Sequence, residues 1–405
     1  MMYIKRQIEE TVLKSSATFP VLLVTGPRQT GKSTLLQHLA EPGRKYVSLD
    51  NPAIRESAIS APDLFFQRFT PPLILDEIQY APQLLPYVKM IVDEQQVNGL
   101  FWLTGSQVFE MMRDVRESLA GRVSLLKLYG FSQAEKEGRV VSPFPPDKDR
   151  LIRLASVNNP KSAEKVFQSI WQGSMPRVVT QPEMDIENFY SSYVQTYLER
   201  DVRLITTIAD EGQFLRFIRL IAARSAQELN LTALSRELGV DAKTCRRWLD
   251  VLETTGLAIE LPAYSGNLSD RLIKRPKIYF MDTGLACYLT GWQSAEAVSQ
   301  GSYGGAIFET WVVSEIMKSW WFNGLYPVIH YYRDRMQKEI DLLISRNQQL
   351  MPFEIKKSAN PSHAFKNFPA LEKLGADIGF GGVLSLSQEL LPIDEKYWQI
   401  PVSLL

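Results

Sequence analysis

Apolar residues in this chain cluster in two ways: short runs of strand length, and longer stripes at helical spacing. Val21–Thr25 (VLLVT), Leu73–Leu75, Leu100–Leu103 and Val123–Leu128 are short runs suited to buried strands. A further strand is expected near Tyr46–Leu49. Ile4, Ile8 and Val12 share one helical stripe and predict a short helix over Ile4–Leu13. A second helix is expected from Lys32 to about Ala40. From Phe131 to about Arg224 the period is helical, broken by a loop at Pro143, Pro145 and Pro146. Glu164–Gln172 reads as a helix stopped at Gly173, and Ile186–Ile205 as a long amphipathic helix. Core packing explains its stripe of Phe189, Tyr193 and Tyr197 better than a ligand does.

Farther on, Leu231, Leu234 and Leu238 pack one short helix, Gly239 supplies a turn, and Asp241 can cap the next helix. Leu257–Leu261 and Lys277–Phe280 are then expected as the strands of a winged helix. Gly304–Trp320 is an apolar helix. Ile329–Arg333, Glu339–Ser345 and Met351–Lys357 read as strands, followed by a helix near His363–Leu374 and a strand near Gly382–Leu386. In the second of these strands, alternation puts the acids on one face and Ile340, Leu342 and Ile344 on the other.

Composition excludes more than it selects. The 405 residues suffice for two to four domains. Lysine plus arginine and aspartate plus glutamate number 45 each, so any basic surface must be local. Cys245 and Cys287 lack metal-ligand spacing and suit a reducing cytoplasm. No apolar run approaches bilayer length, and no membrane association is expected.

The first strand runs into Gly26-Pro27-Arg28-Gln29-Thr30-Gly31-Lys32-Ser33-Thr34. This is GxxxxGK[ST] between a strand and a helix, a loop that cradles nucleotide phosphates. Its glycines let backbone N–H groups face the anion, Lys32 adds fixed charge, and Ser33 can ligate Mg²⁺. Leu73-Ile-Leu-Asp76-Glu77 is the matching Walker B strand: Asp76 for the Mg²⁺ shell, Glu77 to orient and deprotonate water. Thr104 or Ser106, ending the next strand, is the candidate γ-phosphate sensor. Arg122 is a candidate for stabilising transition-state charge, in its own subunit or in a neighbour's within a homo-oligomer. A surface salt bridge is the competing reading for Arg122. Because a strand separates the two Walker strands, the layout resembles AAA+ ATPases, which implies sheet order 5-1-4-3-2.

Two further clusters carry chemistry. Lys243, Arg246 and Arg247 on the second helix of the helix-turn-helix could meet nucleic-acid phosphates. Glu354 and Lys356 share a strand face, and Asp341 joins them if the strands pair. With Glu309 on the preceding helix, these carboxylates suit Mg²⁺ or Mn²⁺, and Lys356 suits a charged phosphoryl group. Strands whose charges merely face water are the alternative.

This order of residues resembles the PD-(D/E)xK nuclease superfamily. End to end, the chain is similar to a bacterial and archaeal ATPase family. That family joins an AAA+ domain of the signalling and origin-recognition group, a winged helix and a restriction-endonuclease-like C-terminal domain. The resemblance rests on GPRQTGKS (26–33), LILDEIQ (73–79), LTGS (103–106), SLAGR (118–122), YLERDVR (197–203), YFMDTGLACYL (279–289), EIDLLI (339–344) and PFEIKKS (352–358). It implies an α/β fold divided at 1–130, 131–225 (a helical lid), 226–285 and 286–405. In such lids a Gly-x-Pro element packs on adenine; Gly173, Met175 and Pro176 are similar, with Arg177 a candidate sensor. The expected function is ATP binding and hydrolysis coupled to binding of nucleic acid, DNA foremost, and to its metal-dependent cleavage. The alternative is a nucleotide-dependent switch or scaffold that binds DNA or protein without cleaving. A small-molecule kinase would leave the two downstream domains unexplained.

Overall fold

The structure, a computed structural model, describes residues 3–105, 115, 117–140, 142–198, 211–265, 274–361 and 364–405, with backbone alone for 197, 198 and 211. Ser106 and most of the YLERDVR stretch lie outside the described residues.

The N-terminal module is a parallel sheet of β1 (Val21–Thr25), β2 (Lys45–Ser48), β3 (Leu73–Asp76), β4 (Phe101–Gly105) and β5 (Val123–Lys127). Its order is β2-β3-β4-β1-β5, the order that the spacing of the Walker strands implies. Every pairing is parallel. Both faces are buried, which is why these strands read as continuous apolar runs. Val21, Leu23, Leu73, Leu75, Phe101 and Leu103 face one core, while Leu22, Val24, Ile74, Trp102 and Leu126 face another.

That second core does not stop at the sheet. It continues through the helices Ala163–Gln172 and Ile186–Tyr193 into a helix-turn-helix (Leu231–Leu238, Ala242–Thr254), and on into the helix Gly304–Trp321. The positions 130, 225 and 285 therefore fall inside one shared core. Asn230 and Asp241 cap the two helix-turn-helix starts, and Gly239 between them holds a φ of 70°. Beside them β6 (Gln227–Glu228), β7 (Ala258–Leu261) and β8 (Lys277–Phe280) form an antiparallel sheet in the order β6-β8-β7.

The C-terminal module is a mixed sheet of β9 (Val328–Arg333), β10 (Glu339–Arg346), β11 (Gln349–Lys356), β12 (Asp377–Ile378), β13 (Gly381–Ser385), β14 (Leu391–Pro392) and β15 (Tyr397–Pro401). It runs β14-β15-β13-β11-β10-β9, with β12 beside β11. Among the described residues, no helix is long and apolar enough to cross a membrane.

Three expectations change. The first helix spans Glu9–Thr18, not Ile4–Leu13: Ile8 and Val12 are buried as their spacing implies, but residues before Glu9 form a turn. A 3₁₀ segment, Phe368–Leu374, stands for the helix near 363–374, with Pro369 in its first turn. Ile186–Tyr193 passes into a π-helical stretch, Val194–Leu198. Its expected continuation lies outside the described residues.

Arg6 explains the first change. Its guanidinium is buried and donates to the Thr30 carbonyl (3.0 Å), the Tyr129 carbonyl (2.8 Å) and Glu135 Oε1 (3.0 Å). It also lies 4.5 Å from the Phe131 ring centroid. Glu135 accepts further from the backbone N–H of Gln7 and Ser132. A helix begun at Ile4 would carry Arg6 in its interior. The turn lets Arg6 join the chain start, the phosphate loop and the segment after β5. Arg6→Ala should cost about 3–5 kcal/mol in urea unfolding, because it strands the buried Glu135 carboxylate. A loss below about 1 kcal/mol would contradict this role.

Candidate functional site

The phosphate loop follows β1 at the carboxyl edge of the sheet. Gly26, Gln29 and Gly31 all have positive φ (143°, 60° and 90°), which turns successive N–H groups inward. Gly26 also admits no side chain, since a Cβ there would lie 2.0 Å from the Leu128 carbonyl oxygen. Thr30 Oγ1 donates to the Pro27 carbonyl (2.9 Å) and steadies the loop from within. Lys32 is buried, and its Nζ donates to the Gly26 and Pro27 carbonyls at 3.0 and 2.9 Å. Arg28 and Gln29 are half-buried in the loop, while Thr34 is exposed on the following helix.

Asp76 ends β3 and gathers hydroxyls. It accepts from Ser33 Oγ (2.6 Å), Thr104 Oγ1 (2.5 Å) and Tyr46 OH (2.7 Å). Burial, then the bond to Asp76, holds the Tyr46 phenol protonated well above its ordinary range. Glu77 takes a left-handed backbone (φ 59°, ψ 49°), a conformation that costs a non-glycine residue about 1–3 kcal/mol. Its N–H donates to Thr104 Oγ1 at 3.1 Å, and Gln79 Nε2 donates to its carboxylate. Thr104 is thus committed to organising the acids, and its sensor partner Ser106 lies outside the described residues. Neutral hydroxyls around one carboxylate leave its charge available to a cation. Main-chain N–H groups, Lys32, Ser33 and Asp76 together therefore fit a nucleotide with Mg²⁺. Tyr46 and Gln79 were missed from sequence. Tyr46 sits on the strand paired with β3, a neighbour that only the sheet order reveals.

Arg122 cannot serve its own site. Val21 N–H donates to its carbonyl, so it lies at the amino edge of the sheet, opposite the loop, where it pairs with Asp93 (2.5 Å). Arg177 is exposed and turned toward Gln181. Arg246 is also withdrawn, held by Asp250, Glu253 and Glu260, which leaves Lys243 and Arg247 exposed on that helix.

A second centre forms where β10 and β11 meet the helix Gly304–Trp321. The pairing of β9 with β10 shifts register between Ile340 and Leu343, so Ile340 packs with Leu343, away from Leu342 and Ile344. This departs from the alternation expected for β10. Asp341, in the irregular stretch, accepts from the Ile355 backbone N–H (2.8 Å) and from Lys356 Nζ (2.9 Å). Lys356 also reaches Glu354 Oε2 at 2.5 Å. Lys277 of β8, unforeseen from sequence, lies 2.6 Å from Glu339, 3.0 Å from Glu309 and 3.9 Å from Asp341. Among the described residues no group of acids, histidines or cysteines could hold a metal ion as arranged. The metal assignment of Glu309, Asp341 and Glu354 is corrected accordingly: two ammonium groups divide the carboxylates between them.

Titration follows from this packing. Burial, then the Asp341 charge, pushes Glu354 up to about 9, against Lys356. Burial and Asp341 push Glu309 up to about 7. Asp341 is held below its ordinary value: burial opposes ionisation, and Lys356 and Lys277 outweigh burial.

Residues 18–136 match the family described as AAA domain. Residues 163–296 and 304–405 match two domains of unknown function, DUF8612 and DUF4143. Uncharacterized proteins of Mycobacterium tuberculosis and Mycobacterium bovis are each 27% identical over 344 residues, covering 85% of this chain and 71% of theirs. A Walker-type ATPase of Pyrococcus abyssi superposes with a TM-score of 0.45 at 17% identity, covering 71% of this chain and 96% of its own. AMPPCP-bound DnaA from Aquifex aeolicus gives 0.29 at 14%, covering 61% and 85%. The N-terminal module thus matches an AAA domain over the stretch that carries the phosphate loop and the Walker B strand, which suggests nucleotide binding and hydrolysis.

A carboxyl whose folded pKa is raised binds more protons folded than unfolded. Its contribution to stability is full below the ordinary value of 4.5 and is lost as pH rises to about 9. Glu354→Gln does not titrate there, so its melting temperature should gain on the wild type progressively across that window. A pH-independent difference would contradict the assignment.

Proposed function

We propose that the chain is a Mg²⁺-dependent ATP hydrolase whose nucleotide state positions a nucleic-acid-binding module. The observation that carries this is the Ser33–Asp76 hydrogen bond at 2.6 Å, beside a loop with positive φ at Gly26, Gln29 and Gly31. Ser33 and Asp76 would hold the metal, which when bound offsets phosphate charge. Lys32 and the loop N–H groups grip the triphosphate. Glu77, fixed through its backbone to Thr104 and through its carboxylate to Gln79, takes the proton of the attacking water. Arg122 faces away from its own loop, so its phosphate role passes to a neighbouring copy in a homo-oligomer.

Residues 226–285 suit a winged helix, and Gly256 just after its second helix rests on the phosphate loop: a Cβ there would lie 3.1 Å from Pro27 Cδ. A change at the loop is felt directly by this module. Lys243 and Arg247 offer charge to DNA phosphates. A cavity of about 520 Å³ adds Lys274, Arg275 and Arg335 to this charge, beside Glu228 and Asp334 in the same wall and with Arg333 held by Glu228. The C-terminal module, with Asp341, Glu354 and Lys356 on paired strands, suits a PD-(D/E)xK nuclease-like fold. Its carboxylates pair with lysines. That pairing favours a second reading, a nucleotide-dependent switch that binds DNA or protein without cutting.

Glu77→Gln should keep ATP affinity, measured with a fluorescent analogue, and lose at least about 100-fold in turnover. Normal turnover rejects Glu77 as the base. Lys243→Ala with Arg247→Ala should weaken duplex DNA binding regardless of sequence, and lower the slope of log K against log salt by about 2. Unchanged binding removes this helix as the DNA surface.

A further inference from the structure

β9 and β10 leave their sheet as a hairpin. Glu339 pairs with Arg333, so residues 334–338 make its tip. Asp334 builds that tip from within. Its N–H donates to the Lys338 carbonyl (3.0 Å), and its Oδ1 accepts from the backbone N–H of Met336 (2.8 Å) and of Lys338 (2.9 Å). Gln337 N–H donates to the Asp334 carbonyl (3.1 Å), with Gln337 in the left-handed region at φ 63°. These internal bonds preset the turn, so little ordering entropy is lost when it meets a partner.

At the summit stands Met336, with 74% of its surface exposed. A single exposed apolar residue is ordinary, but this one is set among cations. Arg335 and Lys338 flank it and are exposed. Lys274 and Arg275 line the cavity of about 520 Å³ beside the hairpin. Among the described residues no carboxylate pairs with any of these four cations. The acids of the same wall are engaged, Glu228 by Arg333 (3.0 Å) and Asp334 by the N–H groups of the tip. The hairpin base is also fixed in place. Lys274 Nζ donates to the Arg333 carbonyl (3.5 Å), and Tyr331 OH donates to the Arg275 carbonyl (2.5 Å). The hairpin of the C-terminal module and the segment that leads into β8 therefore form one basic surface.

We propose that this hairpin docks in the minor groove of duplex DNA, where Met336 wedges between two stacked base pairs and bends the duplex. This rests on the reading that the chain binds DNA. A groove about 6 Å wide admits a tight turn but not a helix. Its negative potential draws Arg335 and Lys338 inward. An unbranched, adaptable thioether side chain suits entry into a base step, which apolar wedges of this kind partly unstack. Lys274 and Arg275 then meet phosphates beside the groove. A lipid surface fits less well, because one methionine buries too little apolar area to anchor a chain there.

The test is resonance energy transfer across a duplex of about 30 base pairs with a central TA step, dye-labelled at both ends and saturated with the full chain. The wild type should raise transfer, as a bend of about 20–90° requires, and 2-aminopurine at the step should brighten as stacking is lost. Met336→Ala should lose both signals on saturated duplex. Met336→Leu, which keeps an apolar wedge, should retain both. Arg335→Ala with Lys338→Ala should weaken binding at least about fivefold and lower the slope of log K against log salt by about 2. Bending that survives Met336→Ala, or wild-type binding without a bend, overturns the wedge and leaves DNA binding standing. Unchanged binding by the Arg335/Lys338 variant takes the hairpin off the DNA surface. A wild-type chain that binds no duplex, whether or not it binds anionic lipid vesicles, removes the DNA reading and the wedge together.

Discussion

The helix Gly304–Trp321 has no solvent face. Fifteen of its eighteen residues are buried, and its apolar side chains point in every direction. A helix of that kind must be wrapped, and here every other module supplies part of the wrapping. Trp321 stacks on Tyr129 at 4.5 Å, Phe308 on Phe167 at 6.2 Å, and the helix lies against β8 and β11. Its few polar side chains fix how the modules meet. Thr310 pairs with Ser225 before β6, Glu315 accepts from the Gln133 N–H, Lys318 donates to the Phe131 carbonyl, and Ser319 accepts from the Phe144 N–H. Buried polar groups are costly unless satisfied. Each of these bonds therefore holds its module in one register against the helix.

The two centres solve the problem of buried acids differently. Asp76 is surrounded by three neutral hydroxyls, which stabilise its charge without cancelling it. Asp341, Glu309, Glu339 and Glu354 are divided between two ammonium groups, which cancel much of theirs. The first arrangement leaves an anion ready for a cation that arrives with the nucleotide. The second is internally balanced by its own two ammonium groups. The same residue types, acids at strand ends, give an open site in one case and a closed one in the other. What differs is the charge of the neighbours.

Much of this was legible in the sequence, because the signals are local. The phosphate loop is contiguous, its strand is five apolar residues, and Asp241 and Gly239 announce their helix ends by type and position. The order of the parallel sheet followed from the spacing of two motifs. What the sequence hid depends on residues far apart in it. Arg6 looks like an exposed position on an amphipathic helix until Glu135 and the Thr30 carbonyl are beside it. Lys277 looks like a charge at the start of a wing strand until the C-terminal acids close around it. Asp341 follows from alternation only in part, because an irregular pairing redirects Ile340. Arg122 reads as a phosphate contact by motif, but one backbone bond to Val21 puts it at the wrong edge of the sheet for its own site.

The continuity of the core limits how nucleotide could act at a distance. Domains joined by exposed linkers swing as rigid bodies about a hinge. Here one apolar core runs from Leu22 in β1 to Leu405 at the last described position, through the wrapped helix. A large swing would open that core and expose Trp311, Trp320 and Trp321, at a cost far above the few kcal/mol that differential nucleotide binding supplies. Small displacements escape this limit. The sheet β6-β8-β7 touches the phosphate loop through Gly256 and the acid centre through Lys277, and ion pairs respond steeply to shifts of an ångström or two. A tightly packed molecule with a small sheet set between two charged centres is built to transmit a slide rather than a hinge.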